Sequence, residues 1–151
     1  DKEGFKLKRR QTKDSTKIKT NLIPYAERER NATNNLITGA VFKTKVDLTH
    51  PMAFGYDSNY FTLKLGSNSY SLLDSGYNIA YIGDNPKAVS GYAGKDALKG
   101  LDNSLVFGEE NIGAGSMIYI TDNILFRSFW ENGKLFLVNA VFFVNNVSYE
   151  L

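Results

Sequence analysis

The only histidine of this chain, His50, is the side chain best suited to acid–base chemistry. Asp47 precedes it by three residues, and a carboxylate that orients an imidazole is part of a nucleophilic triad. The local sequence supplies no serine nucleophile, so a serine would have to reach His50 from elsewhere in the fold. A lone histidine at the end of a strand is more often a hydrogen-bonded structural residue, and we assign His50 that role.

Two compositional features exclude further classes of site. The sequence has no cysteine, which excludes a disulfide framework, a thiolate metal site and a cysteine nucleophile within the chain. A single histidine excludes a zinc site built on two histidines. Glu109 and Glu110 are adjacent acids of the kind that bind hard cations. Neighbouring residues of a strand point to opposite faces, so we do not expect these two acids to form one site.

A second group of candidate residues lies near the C-terminal end. Asp122 and Arg127 are five positions apart at a predicted strand-to-helix junction, where a helix cap and an ion pair are the expected roles. Trp130, with Phe126 and Phe129, has two interpretations. The three rings form either a sugar-stacking surface or part of the core, and their helical spacing favours the core.

The charge of the chain is unevenly distributed. Residues 1–30 carry ten Lys or Arg against five Asp or Glu, although the whole chain has a net charge of only +2. A basic segment is typical of contact with nucleic acid or an anionic surface. No aromatic residue occurs between Phe5 and Tyr25 to stack on bases. A solvated lead-in is therefore the preferred interpretation, and nucleic acid is not the expected partner.

The remaining pattern predicts one domain rich in strands. With 151 residues, 42% of them apolar, the chain has core material for a single globular unit. Residues 1–23 form the basic lead-in, for which partial disorder is one expectation, and residues 24–151 form the folded part. Pro24 opens a predicted helix over residues 25–35. Alternation and turn residues predict strands over residues 40–48, 60–65, 77–82, 88–92, 105–109 and 116–120, with a helical turn over 95–101. In the first strand we expect Phe42, Val46 and Leu48 to point inward.

The C-terminal segment leaves two alternatives open. Asn132-Gly133 is the favoured turn of a two-residue hairpin, which would make residues 126–138 a pair of strands. Alternatively, two helical stretches are hinged at Gly133, and the second is apolar nearly all round and therefore buried. Ala140 and the length of the apolar run favour the helices. The longest apolar run, residues 135–144, is too short for a transmembrane segment, and residues 1–20 contain no signal peptide.

The C-terminal block, with four shorter blocks in the same order, resembles a family of large bacterial proteins. The block is GSMIYITDNILFRSFWENGKLFLVNAVFF, residues 115–143; the others are GFKLK (4–8), YAERERN (25–31), THPMAFGY (49–56) and YFTLK (60–64). Together they cover about residues 4 to 145. The chain is similar to the C-terminal glutamine-amidotransferase-like domain of zinc-carboxypeptidase-like proteins, in which a metallocarboxypeptidase domain comes first.

This resemblance implies a fold and a location. The fold would be α/β, three-layer and class I glutamine-amidotransferase-like, with this portion a strand-rich mixed sheet followed by C-terminal helices. The parent would be extracytoplasmic: periplasmic, associated with the outer membrane, or secreted. Zinc is implied only in the catalytic domain of the parent, and no cofactor in this chain. No catalytic or metal-binding residue carries over, because the family's His–Glu motif and its amidotransferase cysteine have no match here.

The predicted function is a non-catalytic accessory domain, structural or binding, of such a cell-envelope protein. Its partner would be the parent peptidase domain or another envelope protein, with a peptide or glycan as a further possibility. His50, Asp122, Arg127 and Trp130 are the candidate structural or binding residues. One alternative makes this chain part of an active zinc metallocarboxypeptidase whose catalytic domain lies outside it. A second makes it an anionic-surface or nucleic-acid binder through its basic segment.

Overall fold

A computed structural model describes residues 7–10 and 22–144. Most of the basic lead-in lies outside the described residues, as do Phe5 and the last residues of the chain. The described elements are strand β1 (Arg9–Arg10), helix α1 (Tyr25–Asn34), β2 (Ile37–Val46), β3 (Asn59–Lys64), β4 (Ser69–Tyr70), β5 (Tyr77–Ile82), β6 (Ala88–Ala93), helix α2 (Lys95–Lys99), β7 (Ser104–Ile112), β8 (Gly115–Ile120) and helix α3 (Glu131–Phe143). Two short 3-10 helices cover Pro51–Ala53 and Phe126–Ser128.

The strands form a curled antiparallel sheet in the order β3-β2-β5-β7-β8, with a separate two-stranded pair, β1-β4. The central strand β2 pairs with β3 along one edge and with both β6 and β5 along the other. The prediction of a strand-rich α/β chain with a C-terminal helix is confirmed. Every strand pair among the described residues is antiparallel, however, so the predicted mixed sheet is wrong.

The pairing of β2 with β6 depends on an unusually close backbone approach. Gly91 has φ +84°, and a Cβ atom at this position would lie 2.1 Å from the carbonyl oxygen of Gly39. Only glycine combines this conformation with so little space. The register between β2 and β6 shifts beside Gly39, and this irregularity allows β2 to bend and to pair with three neighbouring strands.

The core lies between the sheet, helix α3 and the 3-10 helix Pro51–Ala53. Its buried members come from β2, β3, β5, β7, α2, α3, the 3-10 helix Pro51–Ala53 and two connections: Ile37, Ala40, Phe42, Met52, Ala53, Tyr60, Ile79, Ala80, Ile82, Ala97, Leu101, Val106, Phe107, Ile124, Phe136 and Ala140. Phe136 of α3 stacks on Phe107 of β7, with ring centroids 4.3 Å apart. A smaller cluster of Leu73, Leu105 and Tyr119 packs beside it. Phe42 points inward as predicted, whereas Leu48 is 50% exposed and lies beyond the end of β2.

Helix α3 replaces the hairpin that Asn132-Gly133 would favour. Gly133 lies inside the first turns of α3 and is buried there. A Cβ atom on Gly133 would lie 2.1 Å from the carbonyl oxygen of Ile124, so the glycine allows the helix to approach this backbone. Gly133 is therefore a packing residue rather than a hinge. Within residues 7–10 and 22–144, no helix is both long and apolar enough to cross a membrane.

Candidate functional site

The edge of the sheet at β3 is covered by the segment that leads into α3. The carbonyl oxygen of Phe61 accepts a hydrogen bond from Trp130 Nε1 at 3.2 Å and another from Asn132 Nδ2 at 2.9 Å. An edge strand exposes unpaired carbonyls, and two side-chain donors satisfy this one. The contact fixes the indole of Trp130 against β3, 69 positions earlier in the chain.

A buried ion pair joins the same edge strand to the end of β8. Lys64 Nζ lies 2.8 Å from Asp122 Oδ1, and both side chains are almost fully buried. Thr62 Oγ1 donates to Asp122 Oδ2 at 2.7 Å, so both carboxylate oxygens have a partner. The ammonium of Lys64 also donates to the Asn68 carbonyl at 3.0 Å. The predicted pairing of Asp122 with Arg127 is wrong, because β3 supplies the partners of this carboxylate.

Arg127 lies in a strained turn just before the helix. Its guanidinium is 5.2 Å from the centre of the Phe126 ring, a cation–π contact. Arg127 and Ser128 both adopt left-handed backbone conformations, with φ of 49° and 59°. Such conformations cost about 1–3 kcal/mol each outside glycine. These two residues are the last of the 3-10 helix, and the Phe129 side chain that follows them is 59% exposed.

These contacts surround a shallow groove of about 440 Å³. Its lining consists of Val41, Phe61, Phe129, Trp130, Glu131 and Asn132. Trp130 is half-buried. Its indole N–H makes a structural hydrogen bond to β3, and its side chain also lines the open groove. Sequence reasoning grouped Trp130 with Phe126 and Phe129 and missed Phe61. The available signal was an aromatic residue on the exposed face of β3, between buried Tyr60 and Thr62.

His50 lies elsewhere, buried beside Glu109 of β7. The His50 Nε2 and Glu109 Oε2 atoms are 3.4 Å apart, and only 4% and 2% of the two side chains is exposed. His50 Nδ1 accepts a hydrogen bond from the amide of Met52 at 3.2 Å, which caps the 3-10 helix and assigns the ring proton to Nε2. The Tyr77 ring packs against the imidazole, with centroids 4.9 Å apart. Neither Nε2 nor Oε2 reaches hydrogen-bonding geometry with any described group.

Burial dominates the electrostatics of His50. Desolvation lowers the pKa of the imidazole below its ordinary value, while the carboxylates of Glu109 and Asp47 act in the opposite direction. Asp47 itself bonds to the hydroxyl of Thr49, which with other contacts lowers the pKa of its carboxyl. The arrangement keeps a neutral imidazole inside the fold, closed off from solvent.

Glu109 and Glu110 point to different surroundings, as strand alternation predicts. Glu110 is buried and accepts hydrogen bonds from Ser75 Oγ at 2.5 Å and from Tyr119 at 3.2 Å. Glu109 faces His50 instead. Among the described residues, no group of three or more His, Cys, Asp or Glu side chains is arranged to hold a metal ion.

Two polar side chains fasten α3 to the loop that follows His50. The Tyr56 hydroxyl donates to the Asn132 carbonyl at 2.8 Å and accepts from the Phe136 amide at 3.0 Å. It thereby bridges two backbone groups four residues apart in the helix. Burial raises the pKa of Tyr56, which keeps this hydroxyl protonated. Buried Asn139 donates to the carbonyls of Met52 and Phe54 at 2.9 Å and 2.8 Å.

The outer face of α3 is apolar and exposed. Val141 and Phe142 are 66% and 70% exposed, and Leu137 and Val138 lie on the same face at helical spacing. Phe54, which is 69% exposed, packs edge-on against Phe143 beside this face. We call Phe54 and these four helix residues the α3 face. The prediction that α3 is buried all round is wrong on this side of the helix.

The described part of the basic segment is bound to the protein. Lys8 pairs with Asp74 at 2.6 Å, and Arg9 donates to Asn68. Arg10 donates to the backbone carbonyls of residues 102 and 103. These contacts fix β1 beside β4 and occupy three of the cations considered for nucleic acid.

Comparisons with protein-family models, curated proteins and solved structures give no match to this chain.

Proposed function

We propose that this chain is a non-catalytic accessory domain that docks on a protein partner through the α3 face. In this proposal it is the amidotransferase-like portion of an extracytoplasmic, zinc-carboxypeptidase-like protein. Any zinc belongs to the catalytic domain of that parent. The occupant of the α3 face is an apolar surface of the parent polypeptide. The exposed apolar side of α3 is the observation that carries the proposal.

Because the α3 face is apolar as well as the side that packs on the core, α3 has the composition of a helix that is buried on both sides. A helix that is apolar all round is ordinarily buried, yet Val141 and Phe142 are mostly exposed in the chain as described. Burying one such side chain contributes about 1.5–3 kcal/mol, so a partner that covers the face gains several such contributions. Exposed apolar patches of this kind mark protein-interaction sites.

The enclosed position of His50 supports a non-catalytic role. A catalytic imidazole must reach its substrate within hydrogen-bonding distance, directly or through one water. His50 is 5% exposed, its Nδ1 caps a 3-10 helix, and Glu109 and Tyr77 flank its ring. These contacts explain the histidine as a structural residue.

Hydroxyl-radical footprinting tests the docking directly. The isolated chain and the protein purified from its native source would be labelled in parallel, and the intact mass and zinc content of the native protein measured. We expect a larger parent with about one zinc per chain, in which Phe54 and Phe142 are protected relative to the isolated chain. Tyr25, 89% exposed on α1, is the control that stays labelled in both samples.

Two outcomes would contradict the proposal. Equal labelling of Phe142 in both samples would leave the α3 face without a partner. Self-association of the isolated chain that is abolished by Phe142→Glu would make a second copy the occupant. Val141→Glu should have the same effect on self-association, and because Val141 is 66% exposed it is expected to leave the stability of the isolated chain within about 0.5 kcal/mol of wild type.

A further inference from the structure

We infer that the groove between β3 and the start of α3 binds a neutral oligosaccharide. The groove is separate from the α3 face, and its lining side chains play no part in the docking proposed above. It is shallow, and its volume of about 440 Å³ lies in the range of small-ligand sites. Its lining includes three aromatic side chains, those of Phe61, Phe129 and Trp130.

The indole N–H of Trp130 and one amide N–H of Asn132 are already used. Trp130 Nε1 and Asn132 Nδ2 both donate to the Phe61 carbonyl. Grooves that recognise proline-rich peptides combine aromatic rings with donors to the peptide carbonyls, and an indole N–H commonly fills that role. Here the indole N–H is committed to the protein. The ring faces remain, and they suit a ligand that stacks.

Apart from the second amide N–H of Asn132, the remaining side-chain polar groups of the lining are acceptors. Asn132 contributes an amide oxygen, and Glu131 contributes a carboxylate that Lys134 holds through an ion pair. Sugar hydroxyls donate to such oxygens. The C–H groups on the face of a pyranose carry partial positive charge and meet the negative face of an aromatic ring. Stacking surfaces with acceptors at the wall therefore match the two sides of a neutral sugar.

The backbone beside the groove is strained in a way that orients these rings. The left-handed residues Arg127 and Ser128 come directly before Phe129 and Trp130. Backbone strain that the surrounding structure maintains is concentrated at binding sites. The turn leaves the Phe129 ring exposed and the Trp130 indole bonded to β3.

Trp130 is the only tryptophan in the sequence, so its fluorescence reports on this groove alone. The isolated chain would be titrated with cellohexaose, chitohexaose and xylohexaose up to about 10 mM, which detects millimolar affinity. We expect a saturable change in emission with at least one of these neutral glycans. Phe129→Ala keeps the reporter and removes one ring, and should weaken binding about three- to tenfold. Phe142→Ala is the matched control, an exposed phenylalanine on the α3 face, and should leave the affinity unchanged.

Several results would overturn the inference. They are no saturable change with any of the three glycans, equal affinity in wild type and Phe129→Ala, or saturation by decaproline where the glycans give none. Circular dichroism of Phe129→Ala would confirm that the variant is folded, and Phe61→Ala removes a second lining ring, from β3. Because Phe142 lies on the α3 face and does not line the groove, failure of glycan binding and failure of docking are separate results.

Discussion

Lowering the pH should destabilise this domain through His50. The imidazole is buried and neutral, with Nδ1 accepting from the Met52 amide. Burial lowers the pKa of His50 in the folded chain below its ordinary value of about 6.5, which the unfolded chain retains. Protonation would place a second N–H opposite the Met52 amide and break the cap of the 3-10 helix. The protonated imidazole is therefore more stable in the unfolded chain than in the folded chain.

The sign and size of the effect follow from linkage. As the pH falls through about 6.5, the unfolded chain binds a proton that the folded chain refuses, so the free energy of unfolding decreases. The slope reaches at most about 1.4 kcal/mol per pH unit and levels off below the folded-state pKa. Domains of this size have about 5–15 kcal/mol of stability, so one pH unit removes a measurable share. The contribution of His50 is fully present above the unfolded-state pKa.

Urea denaturation followed by Trp130 fluorescence, from about pH 8 to about pH 5, measures this slope around the histidine range. His50→Asn is the control, because its amide oxygen offers an acceptor for the Met52 amide but does not titrate. Its absolute stability is lower, since the contact with Tyr77 is lost. Parallel pH profiles for wild type and variant would refute the reasoning. A wild type that gains stability on acidification relative to His50→Asn would show that attraction to Glu109 outweighs burial.

Two further substitutions test the packing around the candidate site. Lys64→Met leaves the Asp122 carboxylate buried without its cation and should lower the free energy of unfolding by about 3–5 kcal/mol. The double variant Lys64→Met/Asp122→Leu, measured in the same denaturation assay, should recover much of that loss if the unpaired charge is the cause. Gly133→Ala drives a Cβ atom into the Ile124 carbonyl and should cost about 2 kcal/mol or more. Its control is Gly66→Ala, where nothing lies within 4 Å, and equal melting temperatures for the two variants would exclude a close helix approach.

Local sequence signals predict most of the elements of this fold. Alternation and turn residues locate β5 at its observed bounds, and Pro24 marks the start of α1. Such signals depend on neighbours within a few positions, and they fail where a distant group decides. Leu48 continues the alternation of β2, yet the strand ends at Val46 and the side chain is exposed. Asn132-Gly133 has the sequence of a hairpin turn, but Gly133 lies inside α3, where the missing side chain allows the helix to approach the Ile124 carbonyl closely.

The pairing of charged residues is the feature that the sequence conceals most completely. His50 meets Glu109, and Asp122 meets Lys64, 58 positions away. Nothing near Asp122 indicates that partner, whereas Arg127 is close in sequence and opposite in charge. Spacing alone predicts a helix cap at Asp122. The curl of the sheet decides otherwise, because it brings the end of β8 to the far edge strand.

The alternation of strand β3 nevertheless contains two residues that do not suit their positions. Its buried positions include Lys64, and its exposed positions include the aromatic Phe61. A lysine on the inward face requires a buried acid, and an aromatic ring on the outer face of an edge strand favours a covering segment. Both requirements are met by one stretch of chain, in which Asp122 neutralises Lys64 and Trp130 bonds to Phe61. The two anomalies of β3 therefore have a single cause: the strand is built to receive the segment that forms the groove.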